Sequence, residues 1–215
     1  LFGMGLFIIF AIAITKDNQL RFLLLIFSVG TALRVLFLLS THYFVRGHDT
    51  DDHIRYIRYV AENFSMPPAS EGFVFHHPPL YYFFGALVVR LDYLLGRMHE
   101  ATVLHDLQIF SLFLSIGALA IATWIARKLF RSAPYQGFFL AIIATMPTLI
   151  FDAARITNNT LYVLLSFLAF GLLVQWWQTR SLRTWYCLIA AASLACVTRV
   201  SGLVFMPVIF GLMPF

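Results

Sequence analysis

The chain has 215 residues, of which 60% are hydrophobic and 17% aromatic, and its mean hydropathy is +0.82. A soluble domain of this length has no core large enough to hide that much apolar surface, so the composition predicts a polytopic membrane protein. The net charge of +5 does not point to a nucleic-acid partner, because the basic residues fall in short clusters between apolar runs and form no phosphate-tracking stripe.

Apolar runs cover residues 1–14, 20–40, 80–96, 107–126, 137–151, 161–177 and 185–215, several of them near the ~20 residues that a bilayer crossing needs. The first has neither a basic leader nor a small-residue cleavage site, so it is not expected to be a cleavable signal peptide. The last is long enough for two crossings, with breaks expected near Arg199, Gly202 and Pro207. Both cysteines, Cys187 and Cys196, lie in this run and read as packing residues. The chain opens on Leu1 and stops on Met213-Pro214-Phe215, which predicts a piece of a longer protein.

Three basic clusters separate the runs: Lys16 with Arg21, Arg127-Lys128 with Arg131, and Arg180 with Arg183. The positive-inside rule wants all three on the cytoplasmic side. They reach one side only if the run 80–96 does not cross. That run also holds Arg90 and Asp92, whose spacing keeps them from pairing on a helix. It is therefore expected to lie along or dip into the interface. The expected fold is all-α: a single transmembrane helix bundle over 1–215 with a large outer loop at about 41–106. That loop carries juxtamembrane helices at about 51–64 and 79–96.

The loop holds every acidic residue except Asp17 and Asp152. Its densest part is Gly47-His48-Asp49-Thr50-Asp51-Asp52-His53. Acidic residues are costly inside a bilayer, so a cluster beside one sits at the water boundary and often does chemistry there. Residues 52–64 form an amphipathic stripe pattern: Asp51, Arg55, Arg58 and Glu62 on one side, Ile54, Ile57 and Ala61 on the other. Met66-Pro67-Pro68 ends it. His76-His77-Pro78-Pro79 then opens the next helix, with Pro79 suited to the first turn. The segment from Asp152 to Asn159 and the break at Arg199 face the same side as the loop.

Close carboxylates raise one another's pKa, which makes Asp49, Asp51 and Asp52 candidates for a general base. The competing expectation is a solvated loop end with Asp51 as a helix N-cap. His76 and His77 are candidate ligands for a divalent metal (Mg, Mn or Zn) together with an aspartate, or else ordinary histidines beside a proline turn. Being adjacent, they are expected to point apart. Arg34, inside the second run, is expected to snorkel to the surface, with a site role as the alternative. Arg155 and Arg199 are candidates to bind a phosphate, against plain interface anchoring. Tyr81, Tyr82, Phe83, Phe84, Trp176 and Trp177 read as lipid-facing bulk and interface belt. Asn63-Phe64-Ser65 and Asn158-Asn159-Thr160 match the glycosylation sequon.

The order of these features resembles a known family. Ala32-Leu33-Arg34 near the end of a span, the aspartate cluster, a tyrosine-bearing helix and His77-Pro78-Pro79-Leu80-Tyr81-Tyr82 are similar to the GT-C superfamily of membrane glycosyltransferases. Within it, the branch holding the protein O-mannosyltransferases and the lipid A aminoarabinose transferases is the nearest likeness. Ala154-Arg155-Ile156-Thr157-Asn158-Asn159 and Thr198-Arg199-Val200-Ser201-Gly202-Leu203 resemble it too. The resemblance implies a polyprenyl-phosphate-linked sugar donor, an extracytoplasmic or lumenal site and inversion at the anomeric carbon. It implies a loop aspartate as base, with Asp49, Asp51 and Asp52 as candidates. Arg155, Arg199, Tyr56, His53, Asn158 and Asn159 are then the candidate substrate contacts, and His76 and His77 the candidate metal ligands. In this chain His76 stands where the family often has an acid, and His53 follows Asp52 in place of a glutamate. The competing expectations are a non-catalytic membrane subunit that packs against partner helices and, less well matched, a transporter. Membrane lipid is an expected partner in each.

Overall fold

A computed structural model describes residues 17–42 and 49–211. Gly47 and His48 of the acidic segment, the run 1–14, Lys16 and the last four residues lie outside the described residues. Every regular element described is helical. In chain order they are α1 (Asn18–Leu39), α2 (Thr50–Asn63), a 3-10 turn (Ala69–Glu71), α3 (Leu80–Leu94), α4 (Glu100–Leu129), α5 (Ala133–Thr145) and α6 (Pro147–Asp152). Then come α7 (Asn159–Thr179), α8 (Leu182–Thr198), a second 3-10 turn (Val200–Val204) and α9 (Phe205–Gly211).

Three helices, α1, α4 and α7, are long and apolar enough to cross a membrane. At 1.5 Å per residue their 22, 30 and 21 residues reach about 33, 45 and 32 Å, against a hydrocarbon layer of about 30 Å. α1 starts where Asp17 accepts the N–H groups of Gln19 and Leu20 at 2.9 and 3.2 Å, which satisfies donors the helix itself leaves orphaned. α1 packs on α4 and α5, α4 on α7, and α7 on α8. Small residues permit the closest approach: a Cβ on Gly30 would stand 2.8 Å from the Ala144 Cβ of α5, the small-on-small contact typical of helices packed without a hydrophobic driving force between them.

α2 follows the sequence pattern closely. His53, Ile54, Tyr56, Ile57, Val60 and Ala61 are buried, while Asp51, Arg55 and Glu62 are exposed. Its buried stripe meets Tyr81, Tyr82, Ala86 and Val89 of α3 in one apolar cluster. Gly85 lets the two backbones close, since a Cβ there would meet Ile57 at 2.9 Å. α3 has 15 residues, or about 22 Å of helix, shorter than a straight crossing.

One apolar run that the sequence reading kept whole divides, and another breaks at Arg199, one of its expected points. The run 137–151 breaks at Met146-Pro147 into α5 and α6, because proline removes a backbone donor and pushes its predecessor out of the helical region. The run 185–215, expected to supply two crossings, gives one 17-residue helix, α8. Beyond Arg199 its described residues form only the second 3-10 turn and the seven-residue α9.

The bundle has a basic and an acidic end. Arg127 and Lys128 line one groove with Leu20, next to Arg21, and the Lys128 carbonyl accepts the Gln178 side chain just before Arg180. The opposite end carries α2, the start of α3, the 152–159 segment and Arg199.

Candidate functional site

The acidic end gathers side chains from three segments far apart in sequence. Asp49 stands at the start of α2 with φ 60° and ψ 14°, in the left-handed region, and its carboxylate caps nothing. Its carbonyl accepts the His53 N–H at 3.0 Å, and its carboxylate has no hydrogen-bond or ion-pair partner among the described residues. A non-glycine residue with this backbone is uncommon, aspartate being one of those that tolerate it, and such positions collect at functional sites. Asp51 is exposed in the first helical turn. It is not the N-cap, because the helix already begins at Thr50. Asp52 is occupied: it pairs with Arg55 at 3.1 Å and accepts the Phe73 N–H at 3.1 Å.

One turn into α2, His53 is buried with its Nδ1 2.9 Å from the Tyr82 hydroxyl. Its ring lies nearly parallel to those of Tyr82 and His77, with centroids 5.7 and 6.3 Å away. Tyr82 also stacks on Tyr56 at 3.7 Å, and the Tyr56 hydroxyl donates to the His77 carbonyl at 3.3 Å. Tyr81, Tyr82 and Trp176 are therefore interior residues, not lipid-facing bulk; only Phe83, Phe84 and Trp177 of that set are exposed. The spacing of Tyr81, Tyr82, Gly85, Ala86 and Val89 along one face of α3 is the signal that places both tyrosines inward. His76 and His77 do not point apart. Their rings stand 4.4 Å from each other, because residues 72–77 turn back on themselves through the Phe75 and His77 N–H groups.

The other two segments come from beyond α4. Asp152, at the end of α6, is buried and lies 3.6 Å from Arg155. Its Oδ2 accepts the Asn159 amide at 3.2 Å. Asp152 is the site residue that the sequence reading passed over, and the acid beside Arg155 at i,i+3 was the signal for it. Asn158 is buried and gives its amide to the Thr198 carbonyl at 3.2 Å. It ties the start of α7 to the end of α8, and its burial removes it as a glycosylation acceptor in the folded chain. Arg199 follows that joint with its guanidinium 6.0 Å above the Tyr162 ring. No carboxylate pairs with it among the described residues.

Charges from all three segments act on the buried groups of the site. Burial, then His77 and Arg155, with Arg199 weaker, push the His53 imidazole down to about 3 against the pull of Asp52. His53 is thus neutral at physiological pH. His77 is lowered by burial, His76 and Arg199, and raised by Asp49. Burial lifts the Asp152 carboxyl, while Arg155, Asn159 and Arg199 hold it down. Burial likewise raises the Tyr82 hydroxyl, which stays protonated. The site therefore presents neutral polar rings flanked by two guanidiniums, a setting for an anion. Among the described residues no group of three or more His, Cys, Asp or Glu side chains gathers to hold a metal ion. The His76–His77 pair completes no such set among the described residues.

Compared with known protein families, with curated proteins and with solved structures, the chain matches none.

Proposed function

We propose that the chain is an integral, multi-pass membrane glycosyltransferase, or the part of one that holds its site. It takes a sugar from a polyprenyl-phosphate donor and passes it to an acceptor hydroxyl, inverting the anomeric carbon. One observation carries this reading: Asp49, whose carboxylate has no partner among the described residues, shares the acidic end with Arg155 and Arg199, brought from separate segments. The three long apolar helices, with Phe22, Leu25, Val29 and Leu36 exposed along α1, favour lipid as the surrounding solvent. The basic clusters at the opposite end favour an extracytoplasmic or lumenal site.

Asp49 accepts the proton of the acceptor hydroxyl as its oxygen attacks the anomeric carbon. The bond from that carbon to the phosphate oxygen breaks, and the polyprenyl phosphate leaves with its negative charge held by Arg199 and Arg155. Asp49 suits the base role better than Asp52, whose oxygens are taken by Arg55 and the Phe73 N–H. His53, kept neutral, is a hydrogen-bonding wall and adds no charge.

Purified protein given a radiolabelled polyprenyl-phosphate sugar should transfer or hydrolyse it. Asp49→Asn should lower that rate by about 10²–10⁴-fold, the usual worth of a general base, with Asp52→Asn the milder change. Equal inertness of wild type and Asp49→Asn, in protein that copurifies with a stable membrane complex, would replace the enzyme with a non-catalytic subunit.

A further inference from the structure

A guanidinium buried inside an apolar helix is costly and ordinarily faces an interior that needs it. Arg34 of α1 does not snorkel; it is 1% exposed. Its Nε donates to Ser115 Oγ at 2.9 Å. Nη1 donates to the Gly30 and Ala144 carbonyls at 2.8 and 2.9 Å, and Nη2 to the Ile143 carbonyl at 3.3 Å.

In an unbroken helix the Ile143 and Ala144 carbonyls would accept from residues 147 and 148. Position 147 is proline, which has no N–H. Met146 before it is extended, at φ −61° and ψ 117°, as a pre-proline residue tends to be. α5 therefore ends at Thr145 with its last carbonyls open. The guanidinium supplies the donors that Pro147 withholds, and its charge sits at the negative end of the α5 dipole. The grip extends across the break, because Ser115, held by the Arg34 Nε, donates its own hydroxyl to the Leu149 carbonyl of α6 at 3.2 Å. Arg34 and Asp152 line one cavity of about 10 Å³, room for about one water, which brings this network to the edge of the acidic end.

We infer that Arg34 is a positioning residue: by holding the α5–α6 break in one geometry it fixes where Asp152 and Arg155 stand. This deepens the functional reading above, and it rests on that reading only for the binding of donor.

The test uses the chain in lipid nanodiscs with both cysteines replaced. Spin labels go on α6 at Thr148 and on α8 at Tyr186, both exposed. Arg34→Met should at least double the width of the label–label distance distribution and weaken binding of a polyprenyl phosphate tenfold or more. Arg34→Lys, a point charge without the fork, should fall between. Adding Pro147→Ala to Arg34→Met returns an N–H to the Ile143 carbonyl. It should recover the melting temperature while leaving distance and affinity altered, a split that a purely stabilising role does not produce. Arg34→Met with the wild-type distribution overturns the inference, as does a double variant that restores both distance and affinity. Where Arg34→Met fails to fold, a wild-type distribution in Arg34→Lys overturns it. Should wild type bind no polyprenyl phosphate, the glycosyltransferase reading falls and the distances alone decide the role of Arg34.

Discussion

α2 and α3 pack against one another through Ile57 and Gly85, yet they turn opposite surfaces outward. α2 exposes Asp51, Arg55 and Glu62, the outer face of a helix in water. α3 exposes Phe83, Phe84, Leu87, Leu91 and Leu94, with Asp92 turned inward and Arg90 folded back onto the Ala61 carbonyl and the Phe64 ring. Two neighbours of similar length thus suit two different solvents. The change from a polar to an apolar outer face falls across a single helix pair.

The shared core is the first place to break this pair. Ile57 is wholly buried between the helices, and Ile57→Ala should cost about 2–5 kcal/mol, read as a lower melting temperature in detergent and loss of any donor binding.

Acid should come next, through His53. Its folded pKa, about 3, lies below the ordinary 6.5, so below pH 6.5 the unfolded chain takes up a proton that the folded chain refuses. The stability that the neutral imidazole retains above pH 6.5 is then lost as pH falls toward 3. Asp152 and Asp92, both raised, pull the opposite way. The clean measurement is therefore the difference between wild type and His53→Gln: the variant should lose several degrees less of its melting temperature between pH 7 and pH 4. Parallel curves would mean that His53 is not held neutral.

The outer faces can be tested directly. Leu87→Lys puts a charge on the apolar face of α3 and should cost between about 1 and 3 kcal/mol in nanodiscs, more the deeper the helix dips. Glu62→Lys on the polar face of α2 should stay within about 0.5 kcal/mol. Equal small effects at both positions would place α3 in water and erase the contrast.

Much of this pair was legible in the chain itself. The 3.6-residue alternation around Ile54, Ile57 and Ala61 marks α2, and the proline pair at 67 and 68 marks its end. The length and purity of the apolar runs mark α1, α4 and α7. The site was harder to see. Asp49, Arg155 and Arg199 stand out by charge, whereas Asp152, placed on the right side with the segment to Asn159, gains its role only from the Asn159 and Thr160 contacts that the fold supplies. Arg34 was misjudged for a related reason. Snorkelling is the default for a cation in a span, and the alternative needs open carbonyls that exist only because Met146-Pro147 interrupts a run that hydropathy reads as continuous. The paired rings of His76 and His77 depend on a turn that propensity does not specify.

The left-handed backbone at Asp49 has a practical consequence for anyone probing the acid. The residue there performs two separable tasks, bending the chain into α2 and presenting a carboxylate. Alanine would disturb both, since it removes the carboxylate and tolerates the left-handed region less well than aspartate or asparagine. Asparagine keeps the bend and removes the charge, while glycine keeps the bend and removes the side chain altogether. Comparing Asp49→Asn with Asp49→Gly therefore measures the carboxylate apart from the fold around it, which a conventional alanine scan would merge into one number.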